Sequence, residues 1–368
     1  MKRGIRRKRL VGQSRRGRID GRRDGYGDGY FDGSCESIVG RITADPVVPR
    51  DISVLYVPEH FPAIDSGIID GLRTLVREVI VAESAEQAIE LAGRLRPDLV
   101  LVLNGLHHFS ADKLQAIREM GLRTAIWFAD DPYYTDLTMA IAPLADYVFT
   151  HEQSCVPFYV RLGCRNVDYL PLAVNPILFR PSRTDRNIRS DVCFIGTAFW
   201  NRVETFDRIA PFLAGTRLHL SGALWERLSH YPLLRKQIKN NTWIDPREGA
   251  MIYRAAKIVI NIHRDTADPQ HNRNSAGIPG LSINPRTYEI CACGTLQLTD
   301  VREDLSLHYT PGQHLVTYDN AEDLQAKLAY YLTHEDECRR IALNGLAHTL
   351  REHTYAKRMN ALLQRIFG

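Results

Sequence analysis

From residue 51 onward, short apolar runs alternate with segments in which apolar positions recur every three to four residues. Residues 51–57, 78–82, 98–104, 124–129 and 146–150 are β-branched and apolar, and read as strands. Residues 67–76, 85–95, 111–120 and 137–142 between them have the helical period. Strand and helix in strict alternation predict a parallel, doubly wound sheet, because a parallel pair needs a crossover long enough for a helix. A polar, proline-containing stretch, 170–190, interrupts the pattern. It then resumes with strands at 191–195, 217–220, 258–262, 295–298 and 315–318 and helices at 202–214, 246–255, 285–292, 321–332 and 336–351. The expected fold is therefore α/β, with two facing Rossmann-like domains and a cleft between them. The domains are placed at 51–182 and 183–352, with a last helix from 353 to 368 packing back on the first.

In sheets of this kind, ligands bind beyond the carboxyl ends of the strands. That rule selects Ser66-Gly67, Asn104-Gly105, Asp130-Asp131-Pro132 and His151-Glu152 in the first unit, with His107 close behind Asn104. Asp130 and Asp131 are adjacent, so their side chains point to opposite faces of an extended backbone. One of them is expected to bind or deprotonate an acceptor hydroxyl, and the other to cap the next helix.

Composition adds two constraints. The formal charge of +4 belongs to the first 50 residues, which hold 13 Lys and Arg against 6 Asp and Glu, leaving 34 against 37 in the rest. The body thus has no general electrostatic reason to bind nucleic acid. Within the tail, a basic run to Arg18 precedes Asp-Gly pairs spaced by four, Asp20-Gly21 to Asp32-Gly33, interleaved with Tyr26 and Tyr30. Such a tail is either disordered or a helix formed against a partner, a second copy of itself or a surface such as a membrane. There is no apolar run long enough to span a bilayer and no signal-peptide core, so a cytoplasmic protein is expected. Seven cysteines without paired metal spacing read as free thiols.

The most informative stretch is RTYEICACGT, residues 286–295. Glu289 stands on a short helix five residues before Gly294. A carboxylate there accepts hydrogen bonds from two ribose hydroxyls, and the backbone at Gly294-Thr295 can face a diphosphate without Cβ interference. The competing reading is an exposed Glu with a glycine C-cap. Arg286 either supplies charge to phosphates or pairs with a neighbouring helix. Gly196-Thr197, followed by Arg202, forms a strand-to-helix turn that suits a phosphate or is a plain connection. Asn261, His263 and Arg264 close another apolar strand, where a lone His is either a ligand contact or a structural group. The polar segment 271–282 reads as a loop able to close over a ligand.

These motifs, with DVREDL at 300–305, Pro311-Gly312, Tyr318-Asp319, AEDLQAKLAYYL, REHTYAKRM and WFADDP at 127–132, resemble the CgeB-like glycosyltransferases. That family is named for a spore-maturation protein and has the GT-B architecture. The resemblance implies a nucleotide-diphosphate sugar as donor, with Glu289 on the ribose. It also implies an unidentified carbohydrate or protein acceptor, no cofactor, metal independence and retention at the anomeric carbon. Related enzymes often carry a second Glu eight residues before the first, where this chain has Leu281. A nucleotide-sugar epimerase and a non-catalytic spore-layer protein remain the alternatives.

Overall fold

The computed structural model describes residues 25–42, 48–182, 188–240 and 243–368. The basic run to Arg18, Asp20-Gly21 and Asp24 lie outside them. The first sheet contains β1 (Arg50–Val57), β2 (Val76–Val81), β3 (Leu99–Leu103), β4 (Thr124–Phe128), β5 (Tyr147–Thr150) and β6 (Val167–Tyr169). Its strands are all parallel, in the order β2-β1-β3-β4-β5-β6. Around it lie α1 (residues 25–41), α2 (Pro62–Arg73), α3 (Ala85–Leu95), α4 (Ala111–Glu119), α5 (Thr135–Ile141) and α6 (Cys155–Arg161), although α1 itself docks on the second unit.

The second sheet holds β7 (Ser190–Ile195), β8 (Leu218–Gly222), β9 (Ile238–Asn240), β10 (Ala256–Asn261), β11 (Leu296–Asp300) and β12 (Val316–Tyr318). It is also parallel, in the order β12-β11-β10-β7-β8-β9. The helices here are α7 (Trp200–Leu213), α8 (Tyr231–Leu234), α9 (Pro246–Ala255), α10 (Pro285–Ala292), α11 (Leu305–His308), α12 (Ala321–Thr333) and α13 (Glu335–Glu352). The last helix, α14 (Tyr355–Phe367), packs on α2 of the first unit. Strand order reverses between β1 and β3 in one sheet and between β7 and β10 in the other, and these switch points open the crevices in which such sheets hold ligands.

Central strands are buried on both faces: every residue of β3 and β4 is inaccessible, as parallel sheets covered by helices require. Helix α2 starts at Pro62, where proline costs no hydrogen bond because a first-turn N–H has no partner anyway. Ser66 and Gly67 therefore lie inside α2, and not just after a strand as the pattern had placed them. Gly67 is there for packing. A Cβ on it would stand 2.1 Å from the Tyr355 ring. Helix α14 thus lies flush on α2, and Arg50 ties it down further by donating to Asn360 and Gln364 at 3.0 and 3.1 Å.

Helix α1 docks on the second unit of its own chain. Its Asp28 accepts from Arg189 and Arg339, both at 2.7 Å, and its Asp32 accepts from Arg254. Phe31 and the buried Cys35 enter the core. The glycines at 25, 29 and 33 face open space. Among the described residues, no helix is long and apolar enough to cross a membrane.

Candidate functional site

The site is assembled at the carboxyl ends of both sheets, with the start of α10 on the second. Asn284 caps the helix, its side-chain oxygen accepting from Thr287 N–H at 3.2 Å. Asn261, fully buried at the end of β10, donates to Asn284, Thr287 and Gln297 at 3.0 to 3.1 Å and so fixes where α10 begins. Its amide is fully buried among these partners, and its oxygen accepts from Asn284 Nδ2 at 2.9 Å. It is a positioning residue.

Arg286 and Glu289 are three positions apart, hence on one face of α10, and both are half-buried while Thr287, Tyr288 and Ile290 are buried. Among the described residues, neither side chain makes a hydrogen bond or an ion pair. Burial pushes the Glu289 carboxyl up to about 7, with Arg286 nearby pulling in the opposite direction. A carboxylate with all its lone pairs free, beside an unpaired guanidinium, is an arrangement that calls for a ligand. Tyr253 and Tyr355 stand in the same surroundings, and burial with the nearby Glu289 charge contributes to raising both phenols.

Three more arginines line the carboxyl edge of the second sheet. Arg202 is buried and spends its guanidinium on main-chain carbonyls, donating to Ile262 O through two nitrogens at 3.1 and 2.8 Å and to Thr197 O at 2.9 Å. Burial draws its pKa down to about 9. Its bonds stitch together the loops after β7 and β10, the two sides of the switch point. Gly196 and Thr197 lie in the first of those loops, Gly196 pressed against Phe194 and Arg202. Gly222 touches it so closely that a Cβ would stand 2.0 Å from Gly196 O, and its φ of 134° also demands glycine. The Thr197 hydroxyl is half-exposed and makes no hydrogen bond among the described residues.

Arg264 lies between the aromatic rings of Tyr133, Tyr134 and Phe199, 4.5 to 5.4 Å from their centroids. Arg302 donates to Gly280 O at 2.6 Å and to Arg264 O at 3.2 Å. The Nε of Arg264 and that of Arg302 are both buried without a partner. His263 is structural: its Nδ1 donates to Asp300 at 2.6 Å and its Nε2 accepts Asn284 N–H at 3.1 Å. The carboxylate thereby sets the tautomer.

One expected element is elsewhere. Gly294 and Thr295 lie at the amino end of β11, beyond the far end of α10, and not at the carboxyl edge where Arg286 stands. Gly294 adopts φ 68° and packs against Cys35 of α1 and Pro181, while Thr295 Oγ1 donates to Tyr253 O at 3.0 Å. Eight helical residues span about 12 Å, so this turn and the first turn of α10 face opposite edges of the sheet. The glycine terminates a helix and admits α1.

In the first unit the two adjacent carboxylates diverge, on backbone that has left β4, bends at Asp130 and turns at Asp131. Asp131 is fully buried, accepting from Thr150 Oγ1 at 2.6 Å and from the Tyr159 hydroxyl at 2.9 Å. Burial raises its pKa to about 7. It braces β5 and α6 and caps no helix. Asp130 is half-buried toward His151, Arg264 and His107, with a pKa raised by burial. Asn104, in the left-handed region at φ 58°, donates to Asp130 Oδ2 at 2.9 Å and accepts the N–H groups of Ala129 and Asp130 at 3.0 and 3.3 Å. His151 is buried beside Asp130 with both ring nitrogens unpartnered, and burial lowers its pKa. His107 is largely exposed and is held by Glu59 through Nδ1 at 2.6 Å.

Glu152 reaches across the cleft. Its carboxylate accepts Leu281 N–H at 3.1 Å, Ser282 N–H at 3.1 Å and the N–H and hydroxyl of Ser154 at 3.1 and 2.9 Å. Further along, Asp136 N–H donates to Arg273 O at 2.9 Å and Arg273 N–H donates to Tyr133 O at 2.7 Å. The segment 271–282, read above as a lid, is thus a bridge fastened to the first unit. Ser66 accepts from Asn175 at 3.3 Å on α2, and Gly67 is covered by Tyr355, so neither shares the Asp130 pocket.

The sequence reasoning missed Glu59, Tyr133, Tyr134 and Arg302. Glu59 and Arg302 each follow directly on a strand, after β1 and β11, and the rule that selected Asn104 and His151 would have found them. Among the described residues no group of three or more His, Cys, Asp or Glu side chains has the geometry of a metal centre.

Residues 202–364 match the family model described as glycosyl transferase-like. The spore protein CgeB of Bacillus subtilis (strain 168) is 29% identical over 316 residues, covering 83% of this chain and 95% of that protein. The structure is similar to that of Anabaena HepE in complex with UDP and glucose, with a TM-score of 0.56 at 10% identity, covering 86% of this chain and 99% of that one. It is equally similar to sucrose-phosphate synthase from Thermosynechococcus elongatus, with a TM-score of 0.56 at 12% identity and the same coverage. The resemblance to the CgeB-like glycosyltransferases holds over most of the chain, and the architecture is GT-B.

Proposed function

We propose that this chain transfers a sugar from a nucleotide-diphosphate donor to an acceptor hydroxyl, with the donor held by the second unit. The observation that carries the reading is the pair Arg286 and Glu289 on one face of α10, both unpartnered, at the carboxyl edge of a sheet that also presents Arg264 and Arg302. Glu289 accepts from the ribose hydroxyls. Arg286 and the unused Nε–H groups of Arg264 and Arg302 meet the diphosphate, whose negative charge grows as the glycosidic bond breaks. Fixed guanidinium charge at that point performs the task a divalent ion would otherwise perform, so the reading includes metal independence. Arg202 keeps the switch-point loops in register and leaves phosphate contact to the other three. Retention at the anomeric carbon is part of the proposal on kinship alone.

Asp130 faces this cluster from the first unit. Held by Asn104 and raised in pKa by burial, it is the group placed to orient or deprotonate the acceptor. The likeness to HepE bound to UDP makes UDP the first nucleotide to try, and the likeness to CgeB makes a spore-surface glycan or protein the first acceptor. A thermal-shift series with UDP and UDP-sugars tests donor binding, since a ligand at 100 times its dissociation constant stabilises by about 2.7 kcal/mol. No shift with any nucleotide would defeat the donor site. Mass spectrometry with and without acceptor then separates transfer from epimerisation, which needs no acceptor.

A further inference from the structure

A cavity of about 280 Å³ lies between α1 and the amino ends of β7, β10 and β11, at the edge of the sheet opposite Arg286. Two of the cations lining it are held through two or three of their nitrogens. Arg217 donates to Asp191 at 2.7 and 3.1 Å, and Arg254 to the carbonyls of Ser182 and Gly294 and to Asp32. The other three are not. Arg189 gives one nitrogen to Asp28, and Arg339 gives one to Asp28 and Glu335, so the Nε and the second terminal nitrogen of each have no partner among the described residues. Lys257 Nζ comes no closer to a carboxylate than 3.9 Å, to Asp191. The cavity wall also holds Ser190, only 5% exposed, whose hydroxyl is buried with no hydrogen-bond partner among the described residues.

A buried hydroxyl without a partner is unusual in a folded protein, and here it shares a cavity with three incompletely used cations. We infer that this cavity is a binding site for a small phosphate-bearing anion, recognised by Arg189, Arg339, Lys257 and Ser190. Guanidinium groups pair with phosphate oxygens through parallel N–H bonds, while the ammonium and hydroxyl are single donors suited to the remaining corners of a tetrahedral anion. The volume admits a phosphate with a small organic group. Asp28 already shows what the site prefers: its carboxylate takes one bond from Arg189 and one from Arg339. Helix α1 therefore supplies an intramolecular anion to the same two arginines, and ligand and helix compete for them.

The test is calorimetric titration of the full chain with inorganic phosphate at constant ionic strength, with chloride as the matched control. The donor cleft also offers arginines to phosphate, so the titration is repeated in Arg286→Ala. Saturable phosphate binding is expected to survive Arg286→Ala. It should weaken about tenfold in Lys257→Ala, less in Ser190→Ala, and tighten in Asp28→Asn, on the usual strength of charge-assisted hydrogen bonds. Ser190→Ala removes no hydrogen bond within the protein, so loss of folding does not confuse that arm. Binding that ignores both Ser190→Ala and Lys257→Ala, or that chloride reproduces, overturns the inference. Binding abolished by Arg286→Ala alone places the phosphate in the donor cleft, which also overturns it and leaves the proposed function standing.

Discussion

Asn104 holds Asp130 from two sides: its Nδ2 donates to the carboxylate at 2.9 Å while its Oδ1 accepts the Asp130 N–H at 3.3 Å. The geometry depends on φ of 58° at Asn104, a conformation Asn tolerates better than most residues. Asn104→Gly keeps that backbone and deletes the amide, so it separates positioning from folding. If Asp130 acts as a base or orients the acceptor, Asp130→Asn lowers kcat by about 10² to 10⁴. Asn104→Gly should lower kcat less, and donor affinity in both variants should stay near that of the wild type. Steady-state turnover alongside nucleotide titration measures the split. A loss confined to donor affinity would remove Asp130 from the acceptor side.

Glu289 makes donor affinity dependent on pH. The carboxyl titrates near 7 in the free protein because burial penalises its charge. Only the ionised form accepts from both ribose hydroxyls, so UDP affinity should fall as pH drops through 7, by up to about tenfold per unit below it. Stability runs the other way. A carboxyl whose folded pKa exceeds its unfolded value binds its proton more tightly when folded, so it lowers stability progressively as pH rises from about 4.5 and most fully above 7. Glu289→Gln should therefore melt higher than the wild type at pH 8, with the gap narrowing toward pH 4.5, and should lose the UDP-induced shift. A variant that melts lower at pH 8 would mean that Glu289 has an internal partner.

The period of the pattern made the two sheets legible, because buried parallel strands such as β3 and β4 are apolar throughout and α3 and α4 keep a helical repeat. It could not reveal β6 and β9, three residues each at sheet edges, where no period has room to develop. Helix α2 starts at Pro62, ahead of the expected residue 67, because proline opens a helix without loss of a hydrogen bond. At the site, strand-end position found Asn104, Asp130 and His151. The spacing of Glu289 from Gly294 joined the two in one expected site, whereas one helix carries them toward opposite edges of the sheet. Partners across domains, such as Glu152 on Leu281 and Arg264 among Tyr133 and Tyr134, are separated by more than 100 residues and leave no local trace.

That division of α10 can be tested at its two ends. Gly294→Ala puts a Cβ on a left-handed residue, 3.2 Å from Cys35 Sγ, and should cost about 1 to 2 kcal/mol of stability with UDP affinity unchanged. Arg286→Ala removes a side chain with no hydrogen bond or ion pair among the described residues and should change stability by no more than about 0.5 kcal/mol. It should weaken UDP by about tenfold or more, through loss of a charged hydrogen bond to phosphate. Melting curves with and without UDP decide both. Weakened UDP binding in Gly294→Ala at unchanged stability would return that turn to the diphosphate.

The bonds of Glu152 to Leu281 and Ser282 link the two units across the cleft. Glu152 is 1% exposed, and one oxygen or the other accepts from both backbone N–H groups at 3.1 Å. Those residues lead into Asn284, the cap of α10, so the first unit sets the position of the helix that carries Arg286 and Glu289. Glu152→Ala leaves the N–H groups of Leu281, Ser282 and Ser154 without this acceptor, a loss of about 1 to 3 kcal/mol for each that stays buried. The cost is avoided if the cleft opens and water reaches them. Hydrogen exchange should then speed up at Leu281 and Ser282, and at Arg273, whose N–H bonds Tyr133 O, while the amides of β10 and β11 keep their protection. UDP affinity should fall as well, because α10 is no longer held in place, and Glu152→Gln should recover part of it through its remaining acceptor oxygen. Uniform loss of protection across both sheets in Glu152→Ala would show that this carboxylate supports the fold as a whole and does not govern the cleft.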